Sequence, residues 1–364
     1  MANRYWVGGT GNWSDDTNHW STTSGGAAAL GNLPTAADDV FFDANSFNNS
    51  YSMTVDALAY CKNMTWSNLV LGTPAWWGTF GVEIYGSLTL ASIMTVPGTG
   101  TLTFKSTTTG NTITTLGRTQ NKPYTFDGVG GEWTITDTFN IGVGRNITVT
   151  NGSLIMDGRS VTGGLSSNNA NVRNISAIGT TFVSCVIWDF TNPANLTYDF
   201  TNSTITFLCN VTSYRTFLGG GLTYNNLVLT NTSTGSNRIS GSNTFNDITA
   251  STGMPGKTIS FATGTTQTVT SFTVSGTAGN EITITSYTTT ATHALIKAGG
   301  GVISCDYLNI QHSVATPANT WYAGVNSTNN QAVATAGSGW IFTVPPGGTV
   351  IKDIIGRGIV PFKR

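Results

Sequence analysis

The chain has 364 residues, a formal net charge of −1 and only 9% charged side chains, against roughly 25% in an average soluble protein. That balance excludes a protein that grips nucleic acid chiefly through its charge. With 10% aromatic residues it also excludes a charge-solvated disordered chain, leaving an ordered body whose polarity comes from Thr, Ser and Asn.

The first residues, MANRYWVGGTGNW, place no apolar segment behind a basic start, so no secretory signal is expected. The longest unbroken apolar run, residues 57–61, falls far short of the ~20 residues of a membrane span. Charge divides the chain into three zones. Residues 1–56 carry net −5, residues 57–344 net +1 and residues 345–364 net +3, which suggests a cap, a shaft and a docking tail.

In the cap, Trp6, Trp13 and Trp20 recur every seven residues through Gly- and Asn-rich loops. A solenoid's first coil exposes an apolar end, and large aromatics in a folded loop can cover it. Asp38 and Asp39 are expected at the turn entering a first regular strand, VFF at 40–42. Asp15, Asp16, Asp38, Asp39 and Asp43 offer oxygens either for turn capping or for Ca²⁺, with Asp38, Asp39 and Asp43 the better cluster. EF-hand spacing is absent, so capping is the favoured reading and no cofactor is expected. His19 stands among the tryptophans, where packing or a hydrogen bond is its expected role.

The shaft alternates β-branched or aromatic residues with polar ones, as in SLTLASIMTV, GEWTITDTFNI and NEITITS. Period-two alternation with Gly and Asn between runs predicts short strands and turns. GLTYNNLVL (221–229) and SNTFNDITA (242–250) align at an offset of 21, matching Tyr224 with Phe245, Asn226 with Asp247 and Leu227 with Ile248. Cys61/Met64 and Cys305/Leu308 repeat a related unit, and Cys185 and Cys209 lie 24 apart. Spacings of 21 to 24 suit one coil of a β-solenoid; tandem β-sandwich domains are the alternative. The four cysteines lack CxxC spacing and are expected to be small buried hydrophobes inside the coils.

Within the shaft, Trp76 and Trp77 in TPAWWGTF are candidate ligand-contact aromatics, since exposed aromatics stack on sugars or anchor interfaces. One of them packing over the early coils is the competing expectation. Asp127 and Glu132 in FDGVGGEW, with Trp133 as a sugar platform, are the only pair worth weighing for glycoside hydrolysis; a polar turn is the simpler reading. His293 and His312 show no metal or triad spacing, and GxSxG does not occur. Asn63, Asn195 and Asn210 stand in N-x-S/T sequons, which carry little information in so Asn- and Thr-rich a chain.

In the tail, Val350, Ile351, Ile354, Ile355, Ile359 and Phe362 mix with Lys352, Arg357, Lys363 and Arg364. So many apolar residues in a short stretch need cover, from the solenoid end or from another protein; docking on a partner is the sharper expectation.

The pattern W-x-G-G…G-N-W…H-W…P…D-D-V, together with GGGVISCDYLNIQHS and NTWYAGVNST at 299–328 and the following GWIF, resembles parallel β-helix structural proteins of tailed bacteriophages. The Trp-rich start is shared with bacterial β-helix adhesins. The resemblance implies an all-β, right-handed parallel β-helix with an aromatic cap, and a non-enzymatic virion component such as a head decoration, spike or fibre. The elongated, low-charge body leads to the expectation of a homotrimer, bound to capsid or tail proteins and with host glycans as a further expected contact. Charge and the short apolar runs lead to the expectation of no nucleic acid and no membrane insertion. The implied location is the virion, reached from the host cytoplasm by lysis. The alternatives are a polysaccharide-depolymerising tailspike and an adhesin. No catalytic residue is carried over.

Overall fold

The computed structural model describes residues 2–47, 51–69, 73–184, 187–288, 291–331 and 338–346. Among them lies a single four-residue helix, Asp16–His19, beside short strands. The strands stack into a parallel β-solenoid of about 13 turns, consistent with the right-handed β-helix and with the hand that parallel crossovers adopt. Two extended parallel sheets, of 21 and 9 strands, run along it, with a three-stranded sheet at each end. The tandem β-sandwich alternative is set aside, because nearly all pairings are parallel between successive coils rather than antiparallel within a sandwich.

The alternation that predicts strands also sets the coil's inside and outside. Thr204–Cys209 buries Ile205, Phe207 and Cys209 and turns Thr204, Thr206 and Leu208 outward. Register makes each inward residue the neighbour of one a coil later: Cys61 on Ile84, Ile84 on Phe104, Phe104 on Phe126, Phe126 on Val149. Within the shaft, coil lengths read from such pairs range from 18 for Ile147/Leu165 to 29 for Trp188/Phe217, wider than the expected 21 to 24. The aligned segments pair as their sequences predict, Tyr224 on Phe245, Asn226 on Asp247 and Leu227 on Ile248.

Outside, threonines stack in the same way. Thr103, Thr125, Thr148 and Ser166 form one column, and Thr114 Oγ1 meets Thr136 Oγ1 at 2.7 Å. β-branched side chains fit a pleated surface, and their hydroxyls link successive coils without charge. Cys61, Cys209 and Cys305 are buried and free. Burial pushes the Cys305 thiol up to about 12 and raises that of Cys61 as well, each with a smaller push from a neighbouring aspartate, so both stay protonated and inert. Cys185 lies outside the described residues.

The N-terminal aromatics form a closed plug. Trp6, Trp13 and Trp20 are at most 2% exposed. Trp6 meets Trp20 edge-on at 5.1 Å, and Trp13 meets Trp20 at 4.8 Å. His19 stacks on Trp6 at 4.6 Å, and its Nδ1 lies 2.8 Å from the Val7 carbonyl. Phe42 stacks on Trp66 at 3.8 Å and Trp66 on Trp76 at 6.0 Å, carrying the column into the shaft. The cap's strands belong to the shaft's sheets: Asn3–Trp6 pairs with Asp39–Phe42, which pairs with Met64–Trp66.

Candidate functional site

The cap aspartates, weighed between turn capping and Ca²⁺, are taken up by turns and neighbouring side chains. Asp38 accepts hydrogen bonds from the Ala2 amide at 2.9 Å, the Thr35 amide at 3.1 Å and the Thr35 hydroxyl at 2.8 Å. Arg4 Nε lies 3.7 Å away. Burial opposes ionisation of Asp38, but these hydrogen bonds and the Arg4 charge outweigh it and hold the carboxyl below its ordinary value. Asp39 accepts from Asn63 Nδ2 at 2.7 Å, and Asp43 from the Asn45 amide at 2.9 Å. Asp15 caps the short helix through the Asn18 amide, and Asp16 accepts from the Gly31 amide at 2.7 Å. Among the described residues no three His, Cys, Asp or Glu side chains stand close enough to hold a metal ion.

The hydrolase candidates fare similarly. Asp127 and Glu132 flank a bulge in the Tyr124–Ile135 strand, and the Asp127 carboxylate accepts from Asn151 Nδ2 at 2.7 Å. Trp133, expected as a sugar platform, is fully buried and donates its indole N–H to the Gly86 carbonyl at 3.1 Å. It faces inward because it has the strand parity of Ile135, so that expectation is corrected. His293 and His312 are neighbours across coils, joined by a backbone hydrogen bond from the His293 amide to the His312 carbonyl. His293 is buried beside Phe261.

The two adjacent tryptophans divide by parity. Ser52–Val55 pairs in parallel with Ala75–Gly78, setting Trp76 beside buried Met53 and Trp77 beside outward Thr54. Trp76 is 0% exposed and corrects the expectation of ligand contact; Trp77 is 49% exposed. Trp77 lines a groove of about 630 Å³ with Ser52, Thr54, Val55, Asp56, Gly78, Thr79 and Phe80, within the size range of small-molecule sites. Phe80 is 52% exposed, and Leu58, exposed nearby, reaches over Gly81.

Gly78 makes this groove possible. Its φ is +118°, and a Cβ there would stand 2.4 Å from the Val55 carbonyl oxygen, so only glycine lets the two strands close up at the groove floor. At one end Asp56 holds the cap, accepting from the Ser14 amide at 3.1 Å and the Ser14 hydroxyl at 2.5 Å. The site therefore offers two exposed aromatic rings above hydroxyls and an ordered carboxylate. Such a surface stacks on the apolar face of a ring and hydrogen-bonds its edge.

A second groove, of about 480 Å³, opens one coil further along the same flank. It is bordered by residues 94–97 and 116–121, with Arg118, Thr119 and Asn121 at its polar side. Sequence reasoning named neither this groove nor Asp56 and Phe80. Phe80 was within sight, since it ends the TPAWWGTF segment. The others meet only through stacking of coils. The tail residues expected to dock, Val350 to Arg364, lie outside the described residues.

The chain matches no protein-family model, no curated protein and no solved structure.

Proposed function

We propose that this chain is a non-enzymatic structural protein of a tailed-bacteriophage particle, a β-solenoid shaft that presents the Trp77–Phe80 groove to host-surface glycans. One observation carries the reading: a continuous solenoid whose carboxylates are largely committed to turns and coil contacts offers two half-exposed aromatic rings over a polar floor. Exposed large aromatics cost solvation unless a partner covers them. A ring platform edged with hydroxyls suits a sugar better than an apolar peptide, which would gain nothing from the Thr54, Thr79 and Asp56 rim. The Thr columns keep the rest of the shaft polar without charge. Attachment to capsid or tail proteins through the 345–364 tail, and assembly as a trimer, belong to the same proposal.

A glycan array probed with the full chain, followed by titration calorimetry on the best ligand, tests it. Trp77→Ala should weaken binding at least tenfold and leave thermal unfolding unchanged, because Trp77 lies outside the core. Undiminished binding by that variant would remove the groove from the proposal. A chain ending at Thr343 should fold and fail to join particles; normal incorporation would refute the docking role.

A further inference from the structure

The second groove carries charge that no carboxylate among the described residues answers. Arg118 is half-buried at its edge, and its guanidinium takes no hydrogen bond or ion pair among the described residues. Arg145 donates its Nε–H to Asn121 Oδ1 at 3.0 Å, and Asn121 lines the groove. Beneath it lies Lys122, 1% exposed, with its Nζ 4.9 Å from the centre of the Trp76 ring. Burial first, and then the neighbouring Arg145 charge, lower the Lys122 pKa to about 8. Neither ion pair among the described residues includes any of the three. No carboxylate lines this groove. The nearby Asp137 is occupied by the Thr115 and Leu116 amides and the Thr115 hydroxyl.

The two grooves are successive stations on one flank. Ala75 bridges Thr95, the Trp76 amide donates to the Thr95 carbonyl, and the Gly98 amide donates back to the Trp76 carbonyl. A Cβ on Gly98 would stand 2.7 Å from Lys122 Nζ and 2.8 Å from the Trp77 carbonyl carbon, so the ammonium lies between the platform and the basic groove. From the coil of Trp77 to that of Arg118 is two steps of about 4.8 Å, roughly 10 Å, a distance a short oligosaccharide spans. Like charges gathered without a counter-ion raise the local potential and favour an anion there.

We propose that this flank binds an acidic oligosaccharide, with a sugar ring on Trp77 and a carboxylate on the guanidinium of Arg118. The inference rests on the reading of the Trp77–Phe80 groove as a glycan contact. Arg145 acts through Asn121, and Lys122 acts through its field rather than by contact. The single unpaired fork of Arg118 matches one carboxylate at a time. Single-stranded nucleic acid also combines stacking with negative charge, but it needs a basic track along its backbone. Here one arginine lines the groove, with Arg145 and the buried Lys122 behind it, in a chain with net charge −1.

The test is calorimetric titration of the full chain with oligogalacturonate, neutral dextran oligosaccharide, a glycerol-phosphate polymer and an oligothymidylate. The expected result is tightest binding of oligogalacturonate, weakened by salt. Arg118→Gln should weaken it tenfold or more, Arg145→Gln less, and neither should change dextran binding or the melting temperature; Trp77→Ala should weaken both sugars. Dextran binding as tight as oligogalacturonate, with Arg118→Gln silent, would overturn the acidic ligand and leave the glycan reading standing. Preference for the phosphate polymer or for oligothymidylate would overturn the carboxylate assignment. Binding of none of the four would overturn both readings.

Discussion

Arg173 provides the sharpest test of how the coils are held together. It is 1% exposed, and its guanidinium has no carboxylate partner among the described residues; instead it bolts two coil corners through the Ser167 hydroxyl and backbone carbonyls. Nε donates to Ser167 Oγ at 2.9 Å, and Nη2 to the carbonyls of Ser167 at 2.8 Å and Asn192 at 2.9 Å. Nη1 donates to those of Asn171 and Ala194, both at 2.5 Å. Burial keeps its pKa below the ordinary arginine value. Arg173→Met removes all five bonds and roughly conserves length. The two bonds to Ser167 lie away from water, and charge-assisted bonds contribute about 1.5–3 kcal/mol each, about 3–6 kcal/mol together. The other three acceptors sit at exposed corners where water replaces the donor. Relief of the buried charge returns part of the loss, leaving a net destabilisation of about 3 kcal/mol. Arg173→Lys, with a single nitrogen, should recover less than half of it. Because solenoid coils interact mainly with their neighbours, the loss should appear in hydrogen exchange first at Arg173–Ser176 and Leu196–Asp199, which pair across this corner. Equilibrium unfolding of Arg173→Met within about 0.5 kcal/mol of the parent, with unchanged exchange there, would refute the corner-bolt account.

Three further outcomes follow from the same packing. Gly131→Ala places a Cβ 2.0 Å from the Ser106 carbonyl oxygen and 2.7 Å from Trp133 Cη2, so melting should report a loss of about 3 kcal/mol, the upper range for overpacking; an unshifted melt would mean that the bulge is pliable. His293 has its Nδ1 3.0 Å from Ser286 Oγ and no partner for Nε2, and burial first, then His312, lower its pKa to about 3. An unfolded histidine titrates near pH 6.5, so the unfolded chain binds the extra proton between those values. Stability is therefore complete above about pH 6.5 and falls by about 1.4 kcal/mol per pH unit below it. Denaturant titrations at pH 6.5 and 4.5 should differ by about 2.5 kcal/mol and converge in His293→Phe; a parent curve flat over that interval would contradict the assignment. Light scattering of the purified chain should give three times the chain mass if the shaft assembles as proposed, and a monomeric mass would count against the trimer.

Sequence alone determined the all-β class and the alignment of residues 221–229 with 242–250, because side-chain alternation and repetition are both written along the chain, whereas the choice of solenoid over tandem sandwiches came from the parallel pairing between coils. It also pointed to an aromatic cap, since large aromatics in a folded loop can cover a solenoid's apolar end; the packing of Trp6, Trp13 and Trp20 on one another came from the fold. The tertiary structure decided what alternation leaves open. Two neighbouring tryptophans must face opposite ways, but only the adjoining Met53 and Thr54 fix that Trp76 is the buried one; the same parity hides Trp133. Coils vary from 18 to 29 residues, so the partner of a given residue in the next coil cannot be counted off in advance. Arg118, Lys122 and Arg145, and likewise the carbonyls around Arg173, come together through that variable stacking. Their chemistry is a property of the column and is invisible in any one stretch of sequence.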